Sequence, residues 1–260
     1  MQLTFQNVYD FINACAPFDT QADFDNAGLL VGRRDEVVRG IHVALDVTDR
    51  VLDEAEAFGA NLIVTHHPLM FSRIQRLLED DYEGRLIMRM VRNHMGLIAA
   101  HTNLDAASGG INDVLAGVCG LTNVTGEGYY RVGDLPDAPA FSALVTDLSS
   151  RLHTVIRVMG RLPDDTKITR MGVSSGSGSE FFTQAHDLGA QVFLTGEIRH
   201  HHGLQMAGLG MAGLEAGHFA TEEPGIFALA DALQRHIDLV ECKVRISKTG
   251  TGAYALPAGQ

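Results

Sequence analysis

Ile41–His67 reads IHVALDVTDRVLDEAEAFGANLIVTHH, and Met171–Glu197 reads MGVSSGSGSEFFTQAHDLGAQVFLTGE. The two stretches align without a gap. Each opens on a short β-rich run and passes through an amphipathic helical stretch. Each then steps down at a Gly-Ala pair (Gly59-Ala60, Gly189-Ala190) and closes on an apolar run ending in Thr65 or Thr195. A β-rich run, a helical period and a second apolar run spell one β-α-β unit, and its recurrence at a constant offset is the mark of duplication. The segments that follow match at a shifted offset. MGLIAAHTNLDAASGGINDVLAGVCGL starts at Met95 and MAGLEAGHFATEEPGIFALADALQRHI at Met211, pairing His101 with His218 and Asp105 with Glu222.

The fold class that follows is α/β, two structurally similar, duplicated domains with mainly parallel or mixed sheets. The patterns predict strands over Arg39–Ala44, Asn61–Thr65, Leu97–Ala100, Lys167–Val173, Gln191–Leu194 and Met211–Ala216. They predict helices over Phe5–Ala14, Thr48–Phe58, Tyr82–His94, Gly110–Val118, Gly178–Leu188, Arg199–Ala207 and Pro224–His236. The run LPDAPA at Leu135–Ala140, with two prolines among small residues, places the domain boundary there. It gives a first domain over 1–135 and a second over 136–260.

Composition narrows the function. The 260 residues are 45% hydrophobic and 20% charged, the balance of a globular chain with a real core. Twenty Lys+Arg against thirty-two Asp+Glu leave a net charge of −12, which repels phosphate backbones and disfavours non-specific nucleic-acid binding. No apolar run approaches the ~18–20 residues that cross a bilayer. No basic stretch precedes the apolar N-terminal residues, so neither a membrane partner nor a secretory signal is expected. Cys15, Cys119 and Cys242 are odd in number, scattered and without a CxxC pair. That pattern points to a reducing cytoplasmic setting, with the three cysteines acting as buried small hydrophobes.

Histidine is the unusual residue. Five of the twelve fall in two runs, His66-His67 and His200-His201-His202. His66-His67 follows the strand LIVT, with Pro68 biasing His67 toward an extended backbone. His101 and Asp105 follow LIAA, and His218 and Glu222 follow GLEA. Pro224 suits the first position of a helix, which puts Glu222 in the strand–helix connection. All three groups therefore sit at the carboxyl ends of strands, the edge at which open α/β sheets build their sites.

Imidazoles with carboxylates suit divalent transition metals, and two such ions sharing a carboxylate can activate water. Adjacent histidines on a regular strand point to opposite faces, so both can ligate only where the strand ends. Each group also has a plain reading: Asp105 as a turn residue before Gly109-Gly110, His218/Glu222 as a helix-capping acid beside a chance histidine, and His101 as a hydrogen-bonding neighbour of ligands. His200–His202 reads as the opening of an exposed helix. Asp25-Asn26-x-Gly28 reads as a tight loop, structural or shaping a pocket wall. The Gly/Ser-rich turn Ser174–Ser179 either holds an anion on its N–H groups or simply turns the chain.

Taken together, FDNAGLLVG, THHP, HTNLDAASGGIND, TGEIRHHH and GHFATEEPG resemble the GTP cyclohydrolase I type 2 homologue family, the Nif-three-like dinuclear metal-centre proteins, in order from Phe24 to Gly225. The resemblance implies two similar α/β domains facing each other across a dinuclear metal cleft, assembled into a toroidal homohexamer. It implies two divalent ions per subunit (zinc, iron, manganese, cobalt or nickel) held by His66, His67, Asp105, His218 and Glu222. Glu222 would be the bridge, and His101 would stand beside them as a catalytic proton carrier. The expected activity is metal-dependent hydrolysis of a nucleotide or small cyclic substrate. The alternatives are non-catalytic metal storage or delivery, and a regulatory scaffold acting through the oligomer surface. One departure stands out: Phe24 replaces the family's Trp, in a chain with no tryptophan.

Overall fold

The computed structural model describes residues 2–237 and 242–250. The chain forms two compact units. The first takes the chain to Ser108 and again from Ile226, and the second takes Gly109–Gly225.

The first unit is built on a five-stranded sheet. Its order is β1 (Gly28–Val31), β4 (Gly96–Ala99), β3 (Leu62–Thr65), β2 (Ile41–Ala44), β11 (Val244–Ile246). Strands β2, β3 and β4 run parallel, β11 joins parallel to β2, and β1 lies antiparallel on β4. All four residues of β3 are buried, as expected of a parallel strand covered on both faces. Helix α2 (Asp49–Phe58) starts where Thr48 Oγ1 accepts from Val51 N at 3.2 Å and stops at Gly59, φ +79°. Helix α3 (Tyr82–Arg92) is tied to it by Arg89, which donates to Asp53 at 2.6 Å and Glu56 at 2.8 Å. Leu52 and Ala55 of α2 and Leu86 and Met90 of α3 pack on Ile63 and Leu97 of the sheet. Helix α1 (Phe5–Cys15) lays Phe5 against Gly96, where a Cβ would strike the ring.

The second unit carries six strands in the order β5 (Thr122–Thr125), β6 (Arg131–Asp134), β8 (Arg170–Ser174), β9 (Val192–Thr195), β10 (Ala212–Glu215), β7 (Arg157–Met159). Only β8, β9 and β10 pair in parallel. Val192 and Leu194 face a core with α5 (Ile111–Val118) and α6 (Phe141–Arg151), while Phe193 faces one with α7 (Phe182–Asp187) and α8 (His200–Gly208). This is the period of two of a strand buried on both sides.

Matched hydrogen bonds within each unit bear out the repeat. Ala60 N donates to Ala55 O (2.9 Å) as Ala190 N does to Ala185 O (3.0 Å). Met95 N to Met90 O and Met211 N to Met206 O are both 2.9 Å. Ala100 N to Thr65 O (2.8 Å) is mirrored by Ala216 N to Thr195 O (2.9 Å). Within the second pair of segments one residue is extra: Gly217, at φ +88°, stands between Ala216 and His218 and has no counterpart between Ala100 and His101.

Three expectations need correction. The division does not fall at Leu135–Ala140: β5, β6 and α5 belong with the second sheet, and the chain returns to the first unit within helix α9 (His218–Ile237). The proline-rich run joins β6 to α6 inside one unit. The final stretch of the expected second domain, 251–260, lies outside the described residues. Pro224 is not a first helical residue either. Gly217 turns the chain straight out of β10, so α9 begins at His218 and Glu222 is helical. Finally, Cys15 is exposed, because the buried stripe Phe5, Val8, Ile12 continues to Ala16; Cys119 and Cys242 are buried as expected. Among the described residues no helix is long and apolar enough to cross a membrane.

Candidate metal centre

In the first unit β3 ends at Thr65, and the two histidines follow outside the strand. Thr65 Oγ1 donates to His67 O at 2.8 Å and His67 N to Leu45 O at 2.9 Å. These bonds break the alternation that would set the rings on opposite faces, and their centroids lie 5.0 Å apart. His66 is fully buried, with Nδ1 donating to Ala100 O at 2.8 Å. A carbonyl only accepts, so Nδ1 holds the proton and Nε2 carries the lone pair. That nitrogen lies 3.6 Å from Oδ1 of Asp105, which sits in the short helix α4 (Thr102–Ala106).

His67 turns Nδ1 to Asp46 Oδ1 at 2.7 Å, and His101 turns Nδ1 to Asp25 Oδ1 at 2.8 Å. One ligating atom each from His66, His67 and His101 fall within 4.8 Å of one another. Asp25 also accepts from Thr102 N at 3.0 Å and from Thr102 Oγ1. Burial opposes its ionisation, but the bonds from His101 and Thr102 outweigh burial and hold the carboxyl far below the usual range.

The second unit repeats the arrangement with different residues. His218 opens α9 and Glu222 lies one turn on, the spacing that puts two side chains on one helix face; His218 Nε2 is 3.1 Å from Glu222 Oε1. His218 Nδ1 is 2.9 Å from Glu197 Oε1, and Glu197 Oε2 accepts from Ser177 Oγ at 2.8 Å. Burial raises the Glu197 carboxyl, but Ser177 and His218 bring it below the ordinary value. Gly176, at φ +56°, passes so close that a Cβ would collide with Glu222 Oε1 and lie 3.2 Å from His218 Nε2. Only glycine suits that position.

The donor set fits a divalent cation. Four imidazoles have Nδ1 set against a carbonyl or carboxylate, which fixes Nε2 as the ligating nitrogen, and carboxylates stand close by. Asp46, Asp25 and Glu197 are the residues that sequence reasoning missed as anchors. Glu197 carried a signal, since it aligns with His67. Asp25 lay in the flagged loop, and Asp46 had no signal.

The remaining motifs resolve as follows. His200 and His201 are exposed at the start of α8, and His202 Nδ1 pairs with Ser179 Oγ at 2.9 Å. In the Ser174–Ser179 turn, Ser175 N donates to Asn112 Oδ1 at 2.8 Å and Gly176 N to Thr221 Oγ1 at 3.1 Å, so these two N–H groups serve the fold. A cavity of about 290 Å³ beside His67 is lined by Asp46, Thr48, Tyr82 and Glu83. Another of about 610 Å³ beside His218 is lined by Arg157, Glu197, Arg199 and Glu215.

Comparison with known proteins agrees in extent. A Clostridium perfringens protein named GTP cyclohydrolase 1 type 2 homolog is 32% identical over 246 residues, covering 91% of this chain and 93% of its own. The crystal structure of a Staphylococcus aureus hypothetical protein superposes with a TM-score of 0.89 at 25% identity, covering 98% and 100% of the two chains. A Bacillus cereus protein related to NIF3 superposes at 0.92 with 20% identity, covering 98% and 100%, a likeness of fold. The family model described as Duf34/NIF3 (NGG1p interacting factor 3) matches residues 3–251, and the chain belongs to that family.

Proposed function

We propose that this chain is a metal-dependent hydrolase acting on a nucleotide or small cyclic substrate. In this reading two divalent cations would be held by His66, His67, Asp105, His218 and Glu222. The single observation that carries it is the anchoring of His66, His67 and His218 through Nδ1 to a carbonyl or carboxylate, which fixes each ring and tautomer so that Nε2 would ligate. The name of the Clostridium perfringens relative supports the reaction class.

Bound divalent cations supply Lewis acidity toward a substrate oxygen and toward water. The chain's own residues do the rest. His101, held by Asp25, presents Nε2 to take or deliver a proton. Asp46 and Glu197 keep His67 and His218 in one tautomer and one orientation. Self-association as a homohexamer in the cytoplasm belongs to the same proposal.

The test is to strip the purified chain, reload it with zinc, iron(II), manganese, cobalt or nickel, and count ions per chain while screening nucleotides and cyclic amides for hydrolysis. Two ions per chain and metal-dependent turnover are expected, with Asp105→Asn and Glu222→Gln losing both while keeping the far-UV spectrum. Stoichiometric binding without turnover across the panel would favour metal storage or delivery instead. Turnover indifferent to metal would overturn the proposal.

A further inference from the structure

Two phenylalanines beside His101 remain unexplained by packing. Phe24 is 66% exposed and Phe71 is 51% exposed, the opposite of what folding does with large apolar rings when nothing else constrains them. Their centroids are 6.1 Å apart with the planes tilted by 48°, and Phe71 stands edge-on to His101 at 6.0 Å.

The rings are held in place. Asp25, the next residue after Phe24, is fastened to His101 and Thr102. Asn26 Nδ2 donates to Met70 O at 2.7 Å, tying the Phe24 loop to the residue before Phe71. Ala22 N donates to Thr102 Oγ1 at 2.9 Å and Ala27 N to Gln21 Oε1 at 2.7 Å, so the loop is pinned on both sides of the ring. The Asp25-Asn26 pair thus does two jobs: one side chain orients the imidazole and the other ties the Phe24 loop to the backbone beside Phe71.

We infer that Phe24 and Phe71 form a stacking wall that receives a planar aromatic ring of the ligand engaged at the histidine cluster. The inference rests on the metal-site reading above and names the ligand class it serves: one carrying a planar aromatic ring, as opposed to an aliphatic or open-chain substrate. An open pair of tilted aromatic faces matches the offset and edge-to-face geometries that flat rings prefer, and His101 supplies a polar group at its edge. Two rings offer far less than the roughly 1,000 Å² that a stable protein interface needs, so a single ring is the occupant that fits the patch.

The experiment uses the full chain loaded with zinc and two metal-binding probes with the same headgroup, acetohydroxamate and benzohydroxamate, titrated calorimetrically. Benzohydroxamate should bind about tenfold tighter to the native chain, the size of one ring–ring stack. In Phe24→Leu/Phe71→Leu that preference should collapse to about twofold or less, with acetohydroxamate affinity, zinc content and oligomeric state unchanged; Phe24→Leu alone serves if the double variant folds poorly, since its ring is the more exposed. A preference that survives the substitutions, or is absent from the native chain, overturns the stacking wall and leaves the metal site standing. A change in oligomeric state overturns it too, by assigning the rings to a contact between copies. Failure of acetohydroxamate to bind the loaded chain would instead sink the metal-site reading, and the wall with it.

Discussion

His67 and Glu197 fill the same position of the internal repeat. Each lies two residues after a strand-ending threonine, and each backbone N–H is held by a carbonyl near the end of the preceding parallel strand: Leu45 at 2.9 Å for His67, Gly176 at 3.0 Å for Glu197. Their side chains then diverge in role. His67 is itself a candidate ligand anchored on Asp46, whereas Glu197 is the anchor of His218, at 2.9 Å. One duplicated frame places a candidate metal-ligating imidazole in one unit and the orienting carboxylate of another imidazole in the second.

Glu197→Gln should therefore weaken metal binding without unfolding the chain. Loss of such an orienting carboxylate lowers affinity by roughly 10–100-fold. Competition against a chromophoric chelator measures the affinity, and a thermal melt checks the fold. An unchanged affinity would reduce the His218–Glu197 contact to a surface pairing.

Asp25→Ala should cost stability as well as function. The substitution strands His101 Nδ1 and both donors of Thr102 around a fully buried carboxylate position. Unpartnered buried donors make a loss of roughly 2–4 kcal/mol the expected result, read by urea denaturation. A loss under about 0.5 kcal/mol would mean the loop repacks freely.

Glu54 on α2 predicts a pH dependence. It accepts from Ser247 Oγ (2.7 Å), Lys248 N (3.0 Å) and Thr249 Oγ1 (2.7 Å), and stands 3.3 Å from buried His42, so it clasps the chain just after β11. Burial raises its carboxyl, but these bonds overcome that and hold it down to about 2. A depressed carboxyl stabilises the fold above its unfolded value, ~4.3, and that contribution fades as pH falls from there through about 2. The stability gap between the native chain and Glu54→Gln should be constant above pH ~5 and shrink below ~4. At neutral pH the gap should be ~1–2 kcal/mol, with faster hydrogen exchange in β11. A gap independent of pH would contradict the clasp.

Gly176→Ala tests the close approach in the second unit. Its left-handed backbone costs an alanine roughly 1–2 kcal/mol, and the added methyl intrudes on Glu222 Oε1. Metal content should fall while the chain stays folded. Full metal content in this variant would show that Glu222 has room to move.

Much of this molecule is legible from local pattern. The central strands β2, β3, β4, β8, β9 and β10 were all expected within a few residues, because buried parallel strands are continuous apolar runs and their helices carry a 3.6-residue period. The histidine pair at a strand end and the His-x-x-x-acid recurrence are likewise visible in the bare chain. The edge strands β1, β5, β7 and β11 and their neighbour β6 went unread: β5, for example, exposes every residue of TNVT and so has no apolar period to announce it. The division into units was misplaced for a related reason, since a proline-rich run marks a turn whether it joins two domains or two elements of one. What folding alone decided is which groups meet. His101 and Asp25 are separated by 76 residues, and nothing in the composition of either segment foretells their bond. Periodicity records what each segment buries, and it is local; a hydrogen bond between distant loops exists only after the strands beneath them have closed into a sheet.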